Sequence, residues 1–276
     1  MKYSKLGPAA RIIAIGLLGT LPLAAQAQMR PAADAWQWNA TIYVWLPTLS
    51  GNTSFPGGAS GPSIDVDGGK VMDALKMAFM GNIGAKKGKY GFFTDVAYVD
   101  LGASKSGVRD FTLGHGLLPV GLSADLSYDI KATAWTTAGT YTLVASPDHT
   151  MDLLGGVRML DMSQTLGWTF NGNAGATPLP GRTGSDSPSK TNWDGIIGVK
   201  GRINLDAGKK WFLPYYLDVG TGNSDLTVQT YAGVGYHFGW GSVTGVWRYM
   251  DYNFKSGNFA KDLTLNGPAI AATWYW

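Results

Sequence analysis

The sequence predicts an all-β protein: a single antiparallel, up-and-down transmembrane β-barrel of about ten strands, with eight or twelve as alternatives. Three observations carry this. Apolar–polar alternation recurs in segments that mostly reach the roughly 9–11 residues a tilted membrane strand needs, longer than the 5–6 of globular strands. The gaps between segments alternate in length. Finally, hydrophobic content is 45% and charged content only 15%, against about 25% charged in soluble domains. Yet beyond the first residues no apolar run approaches the ~20 residues of a membrane helix. Only helices and closed barrels satisfy every backbone group in lipid, so a membrane protein built from this chain is a barrel.

Residues 1–27 read as a cleaved secretory signal. Lys2, Lys5 and Arg11 form a basic start, Ile12 to Leu23 an apolar stretch too short to span a bilayer, and Ala25-Gln26-Ala27 a small-residue cleavage site. Residues 28–276 form one barrel domain. The whole chain has 22 basic and 19 acidic residues, net +3. The three basic residues leave with the signal, so the mature chain is neutral, which gives no electrostatic case for nucleic acid. With no cysteine, disulfides, thiolate metal sites and thiol nucleophiles are excluded.

The strand segments follow in order. The first, Trp36 to Leu49, sets Trp38, Ala40, Ile42, Val44 and Leu46 against Gln37, Asn39 and Thr41. Then come Lys76 to Ala85, Tyr90 to Ala103, and the long Leu122 to Ala145, which could break near Thr136. Met151 to Gln164, Asn192 to Leu205, Trp211 to Gly220, Leu226 to Gly239 and Val243 to Phe254 follow, and a closing strand begins near Asp262. Tight turns join pairs of these: Lys86 to Lys89, Ser146 to His149, Asp206 to Lys209, and Gly239 to Ser242, each with the expected Gly, Pro or Asp chemistry. The gaps at 51–69, 104–121 and 165–190 are long; those at 221–225 and 256–261 are short. Short periplasmic turns and long external loops mark outer-membrane barrels. The Gly-, Pro- and Ser-rich gap at 165–190 reads as a mobile exposed loop. In the first gap, Val71, Met72 and Leu75 have helical spacing, a turn of helix or a small lid in the barrel mouth.

The closing strand places Trp276, Trp274, Ala272 and Ile270 on one face, a period-2 aromatic pattern suited to a lipid-facing strand. It resembles the C-terminal aromatic strand of Gram-negative outer-membrane proteins, which their assembly machinery recognises. That resemblance implies the barrel-assembly machinery as a partner, acting through the strand that ends at Trp276. Outer-membrane lipid is the second expected partner, and a monomer the expected state.

Five motifs add a family resemblance: Trp45-Leu-Pro-x-x-x-Gly51, Gly91-x-x-x-Asp95-x-x-Tyr98-x-Asp100-Leu101, Trp193-Asp-Gly-Ile-x-Gly-x-x-Gly201, Leu213-Pro-Tyr-Tyr-x-Asp-x-Gly-x-Gly222-x-Ser-Asp-Leu226 and Arg248-Tyr-x-Asp-Tyr252. Together, in this order, they resemble a family of small, poorly characterised proteobacterial outer-membrane β-barrel proteins. The resemblance spans most of the mature chain and implies a barrel in the cell outer membrane. It implies no substrate.

A charge facing lipid at mid-membrane costs roughly 2–4 kcal/mol, so charges in strand centres are expected to face inward. The rule makes Asp95, Asp129, Lys131, Arg158, Asp194, Lys200, Arg202, Asp218 and Arg248 candidates for lining the lumen. Two readings follow. Paired charges could fill a narrow barrel, since buried charges need partners, or opposed acidic and basic walls could form a pore for small polar solutes. About ten strands lies near the closed end of barrel sizes. A third role is surface binding or adhesion through the external loops.

The chain is not expected to be an enzyme. An outer-membrane hydrolase using Asp65, Asp67 and His115 is the alternative, since two carboxylates and a histidine on external loops could activate water. Asp-x-Asp in a Gly-rich loop is more often turn chemistry. Ser187-Pro-Ser-Lys190 does not open a helix. His115, His149 and His237 lack zinc spacing, so neither metal nor cofactor is expected.

Overall fold

The computed structural model describes residues 35–54, 60–66, 68–113, 118–174, 177–187, 189–255 and 260–276. The segment read as a signal, 1–27, lies outside the described residues. Among the described residues there are thirteen strands and one helix: β1 (Gln37–Trp45), β2 (Thr48–Ser54), β3 (Ser60–Val66), α1 (Gly68–Ala74), β4 (Leu75–Lys87), β5 (Tyr90–Leu113), β6 (Leu118–Ala145), β7 (His149–Ala174), β8 (Thr177–Asp186), β9 (Ser189–Asn204), β10 (Trp211–Gly222), β11 (Ser224–His237), β12 (Ser242–Phe254) and β13 (Ala260–Tyr275).

Ten of these close a ring. The ladder runs β1-β4-β5-β6-β7-β9-β10-β11-β12-β13, and β13 returns to β1 through Asn39↔Tyr275 to Trp45↔Ala269. Every pairing is antiparallel between neighbours. Closure removes both sheet edges, which is the condition for a sheet to stand in lipid.

Tight turns close one rim. Gly88 adopts φ 59° between β4 and β5, a conformation glycine takes without penalty. Between β9 and β10, Lys209 N–H donates to Asp206 O at 3.0 Å, and Trp211 N–H to the Asp206 carboxylate at 2.6 Å. Between β6 and β7, the Ser146 amide donates to His149 O at 2.9 Å. By the rule of short periplasmic turns this rim is periplasmic.

The opposite, external end differs from the sequence reading. The gap at 165–190 is not a loop. β7 continues to Ala174, and β8 pairs back onto it from Leu166↔Asp186 to Ala174↔Thr177. β5 and β6 likewise continue through 104–113 and 118–121, and β6 does not break at Thr136. The cause is physical: a strand already in register extends its ladder whatever its composition. Segments that are polar on both faces carry no alternation to read.

The first gap forms the hairpin β2–β3 and then α1. β1 and β2 are one strand in register along β13: Trp45↔Ala269 is followed by Thr48↔Asn266. Between them the ladder is thin. Leu46 N–H donates to Pro268 O at 3.0 Å, and proline has no N–H to return. The chains also approach closely here: a Cβ on Gly267 would lie 2.2 Å from Leu46 O, so glycine is required. α1 packs against β2 and β5 and runs directly into β4; Val71 is buried and Met72 exposed.

The outer wall is apolar. Ile42, Ile83, Val157, Ile197, Leu217, Val234 and Ile270 are all exposed. Aromatic side chains ring the periplasmic rim in mutual contact, including Trp38–Phe92 at 5.8 Å, Trp211–Tyr236 at 4.9 Å and Trp240–Trp274 at 5.6 Å. Towards the external end, Trp135 and Trp193 meet edge to face at 5.9 Å. An apolar belt between aromatic girdles on a closed barrel is the surface a bilayer requires. This is an outer-membrane β-barrel of ten strands, with the β2–β3 hairpin and β8 added at its external end.

Candidate functional site

The inward face of each strand is set by its parity. On β7 it carries Leu154, Arg158, Leu160 and Met162; on β10, Phe212, Tyr216 and Asp218; on β12, Ser242, Arg248, Met250, Tyr252 and Phe254, all buried. Neighbouring residues of opposite parity, such as Val157, Leu217 and Trp247, are exposed on the outside.

Three layers fill the interior. Towards the external end, Tyr43, Trp45, Met80, Leu160, Met250, Tyr252 and Phe254 form one contiguous apolar cluster. It joins β1, β4 and β12 to β7, walls on different sides of the ring. The Tyr252 and Phe254 rings stack at 5.6 Å, and Tyr252 has no exposed surface.

Below and beside this cluster lies a charged layer. Arg158 and Asp218 form an ion pair with both side chains fully buried. Arg158 also donates to Thr136 Oγ1 at 3.2 Å and Thr227 Oγ1 at 3.3 Å. The Tyr216 hydroxyl donates to Asp218 from the same strand. In the second group, Arg248 donates to Asp95 Oδ1 at 3.3 Å, Gln229 Oε1 at 3.1 Å and the Tyr43 hydroxyl at 2.9 Å. Tyr43 in turn donates to Asp95 at 3.0 Å. The Arg248 guanidinium lies 4.7 Å from the Trp45 ring centroid, a desolvated cation–π contact. Asp194 accepts from the Ser224 amide at 2.7 Å and its hydroxyl at 2.8 Å, tying β9 to the β10–β11 turn.

The third layer is a cavity of about 280 Å³. Every barrel strand except β7 contributes to its wall, from Ser242 and Tyr275 at the periplasmic rim to Thr136, Asp95 and Arg248 in the charged layer. Lys200 also lines it, with its ammonium 4.3 Å from the Phe93 ring centroid. Arg202 sits nearer the rim and donates to His237 Nε2 at 3.3 Å, which fixes that nitrogen as an acceptor.

The structure thus brings Asp95, Arg158, Asp194, Lys200, Asp218 and Arg248 into the barrel interior. Asp129 and Lys131 are not there. They share a face of β6 with Trp135, Tyr141 and Leu143, while Thr136, Ala138 and Thr142 on the other face are buried. Lys131 is 57% exposed and pairs with Asp100 at 3.6 Å; Asp129 pairs with Lys76. The inward rule holds only within hydrocarbon, and β6 carries these two residues past Trp135 into water. Asp67 and His115 lie outside the described residues, and of Asp65 only the backbone, paired in β3, is described. Among the described residues no group of three or more His, Cys, Asp or Glu could hold a metal ion. Sequence reasoning missed the neutral partners Tyr43, Thr136, Tyr216, Thr227 and Gln229. Each lies in phase with a charge on its own or a neighbouring strand.

No protein-family model matches the chain, and no curated protein matches it in sequence. Among solved structures it is similar to the outer-membrane protease OmpT of Escherichia coli, at 12% identity and TM-score 0.47, covering 87% of this chain and 95% of that one. It is also similar to the attachment invasion locus protein Ail of Yersinia pestis, at 9% identity and TM-score 0.32, covering 88% and 99%. The translocator domain of the autotransporter NalP of Neisseria meningitidis is similar at 14% identity and TM-score 0.36, covering 89% and 90%. None of the three lends its activity to this chain.

Proposed function

We propose that this protein is a structural outer-membrane barrel that does not conduct, and that its external strands carry its role at the cell surface. One observation supports this above the others. Arg158–Asp218 and Arg248–Asp95–Tyr43 join acids to bases, instead of holding them on separate walls, and the apolar cluster spans the space beyond them. A charge-lined constriction for polar solutes leaves its charged side chains facing a continuous void. The apolar cluster that includes Trp45, Met250 and Tyr252 counts against a narrow pore, whose pathway would have to pass it. The strands β5 to β8 extend beyond the ring and give an external partner a surface to grip.

The test is single-channel recording of the refolded protein in a planar bilayer, with folding confirmed by heat-modifiable migration. The expected result is a silent bilayer. Discrete, reproducible openings from the folded wild type would replace this reading with the narrow pore.

A further inference from the structure

The cavity below the charged layer contains a feature the closed-barrel reading leaves unexplained. Its charged wall residues are Lys200, Arg248 and Asp95. Asp95 is already engaged by Arg248 and Tyr43. Lys200 makes no hydrogen bond or close ion pair among the described residues; its ammonium lies against the ring of Phe93 and feels Asp152 and Asp95 only at longer range. The nearest acid in register, Asp152, is held by Lys86 at 3.1 Å and Thr142 at 2.6 Å. An interior ammonium with no direct ion-pair partner is costly, and the charged residues lining the cavity carry one cation in excess.

Beside Lys200 the wall is aromatic. Tyr216 and Tyr231 stack at 5.2 Å, and Phe93 meets Tyr216 edge to face at 6.3 Å. The space, about 280 Å³, equals about nine waters at ~30 Å³ each and falls near the lower end of small-molecule pockets.

We propose that this cavity, open at the periplasmic rim, binds a small monoanion: a carboxylate on a single planar ring, with the carboxylate on Lys200 and the ring against Tyr231 and Phe93. The site needs no passage through the barrel, so it goes beyond the closed-barrel reading and does not depend on it. The charge pairing is a desolvated contact, stronger than one in water, and ring stacking supplies the preference over an aliphatic acid.

The test is calorimetric titration of benzoate onto the folded protein in detergent, with ligand-to-protein NMR contacts measured in parallel. Benzoate is expected to saturate one site. Lys200→Met should weaken it at least about tenfold, as should replacing benzoate with the neutral benzyl alcohol or with acetate. Lys131→Met, on the outer surface, should leave it unchanged. The NMR contacts should fall on Tyr231 and Thr244 at the cavity wall. Equal benzoate affinity in wild type and a folded Lys200→Met would overturn the proposal. So would the absence of saturable binding to folded wild type, or contacts on the outer girdle at Trp211 and Trp240. If Lys200→Met does not fold, the contact map alone decides.

Discussion

Arg158 has no exposed surface, and neither has Asp218. In their pair the hydroxyls of Thr136 and Thr227 support the guanidinium and that of Tyr216 the carboxylate, leaving Asp218 Oδ1 buried without a partner among the described residues. Removing one partner strands the other. Arg158→Met is therefore expected to destabilise the barrel by about 3–5 kcal/mol, read from a urea unfolding midpoint in detergent. Arg158→Met combined with Asp218→Leu should recover most of that loss, because an apolar pair leaves no charge unpaired; a double variant as unstable as the single one would refute this account. At this scale the sequence was legible as far as sign and parity allow. Asp95, Arg158, Asp194, Lys200, Asp218 and Arg248 follow from charges in strand centres. Asp129 and Lys131 defeat the same rule, because a residue's depth in the bilayer is not encoded by its alternation. Which charge meets which was not legible at all: Arg158 and Asp218 meet across the intervening β9, and Asp95 on β5 reaches Arg248 on β12 only on closure.

At the scale of elements, the lipid-facing strands were readable because one side must be apolar. The external extensions were not, because water bathes both their faces and no period survives. β8 shows how little the ring needs them. It pairs only with β7, beyond the last β7–β9 pair at Ser163↔Ser189. Excising residues 167–185 and joining the ends with a short glycine-containing turn should leave folding intact. The expected outcome is an unchanged heat-modifiable shift and a urea midpoint within about 0.5 kcal/mol of wild type, as for changes away from buried features. Loss of the folded band would mean that β8 and the β7 extension removed with it help to build the barrel.

At the scale of the whole molecule, ten strands lie near the closed end of barrel sizes, so on the proposed closed-barrel reading a channel opens only when large side chains are removed. Trp45 and Tyr252 are two of the large buried aromatic side chains in the external apolar cluster. Trp45→Ala with Tyr252→Ala is expected to give discrete openings in the planar bilayer where wild type is expected to stay silent. Each substitution removes about 3–5 kcal/mol of packing, so the recording is meaningful only for protein that migrates as folded. A folded double variant that stays silent would place the closure in the charged layer alone.

The ring closes where Thr41 and Thr273, 232 positions apart in the chain, share a hydrogen bond at 2.9 Å. Apart from β13–β2, which continues the same seam, every other wall pairing joins strands adjacent or nearly adjacent in sequence, so this seam is the one that demands a long search, and such contacts form slowly. Until it forms, β1 and β13 are two raw edges on a sheet already apolar along one side. The time between the penultimate hairpin and that final meeting is the interval in which the chain is most open to pairing with a stranger.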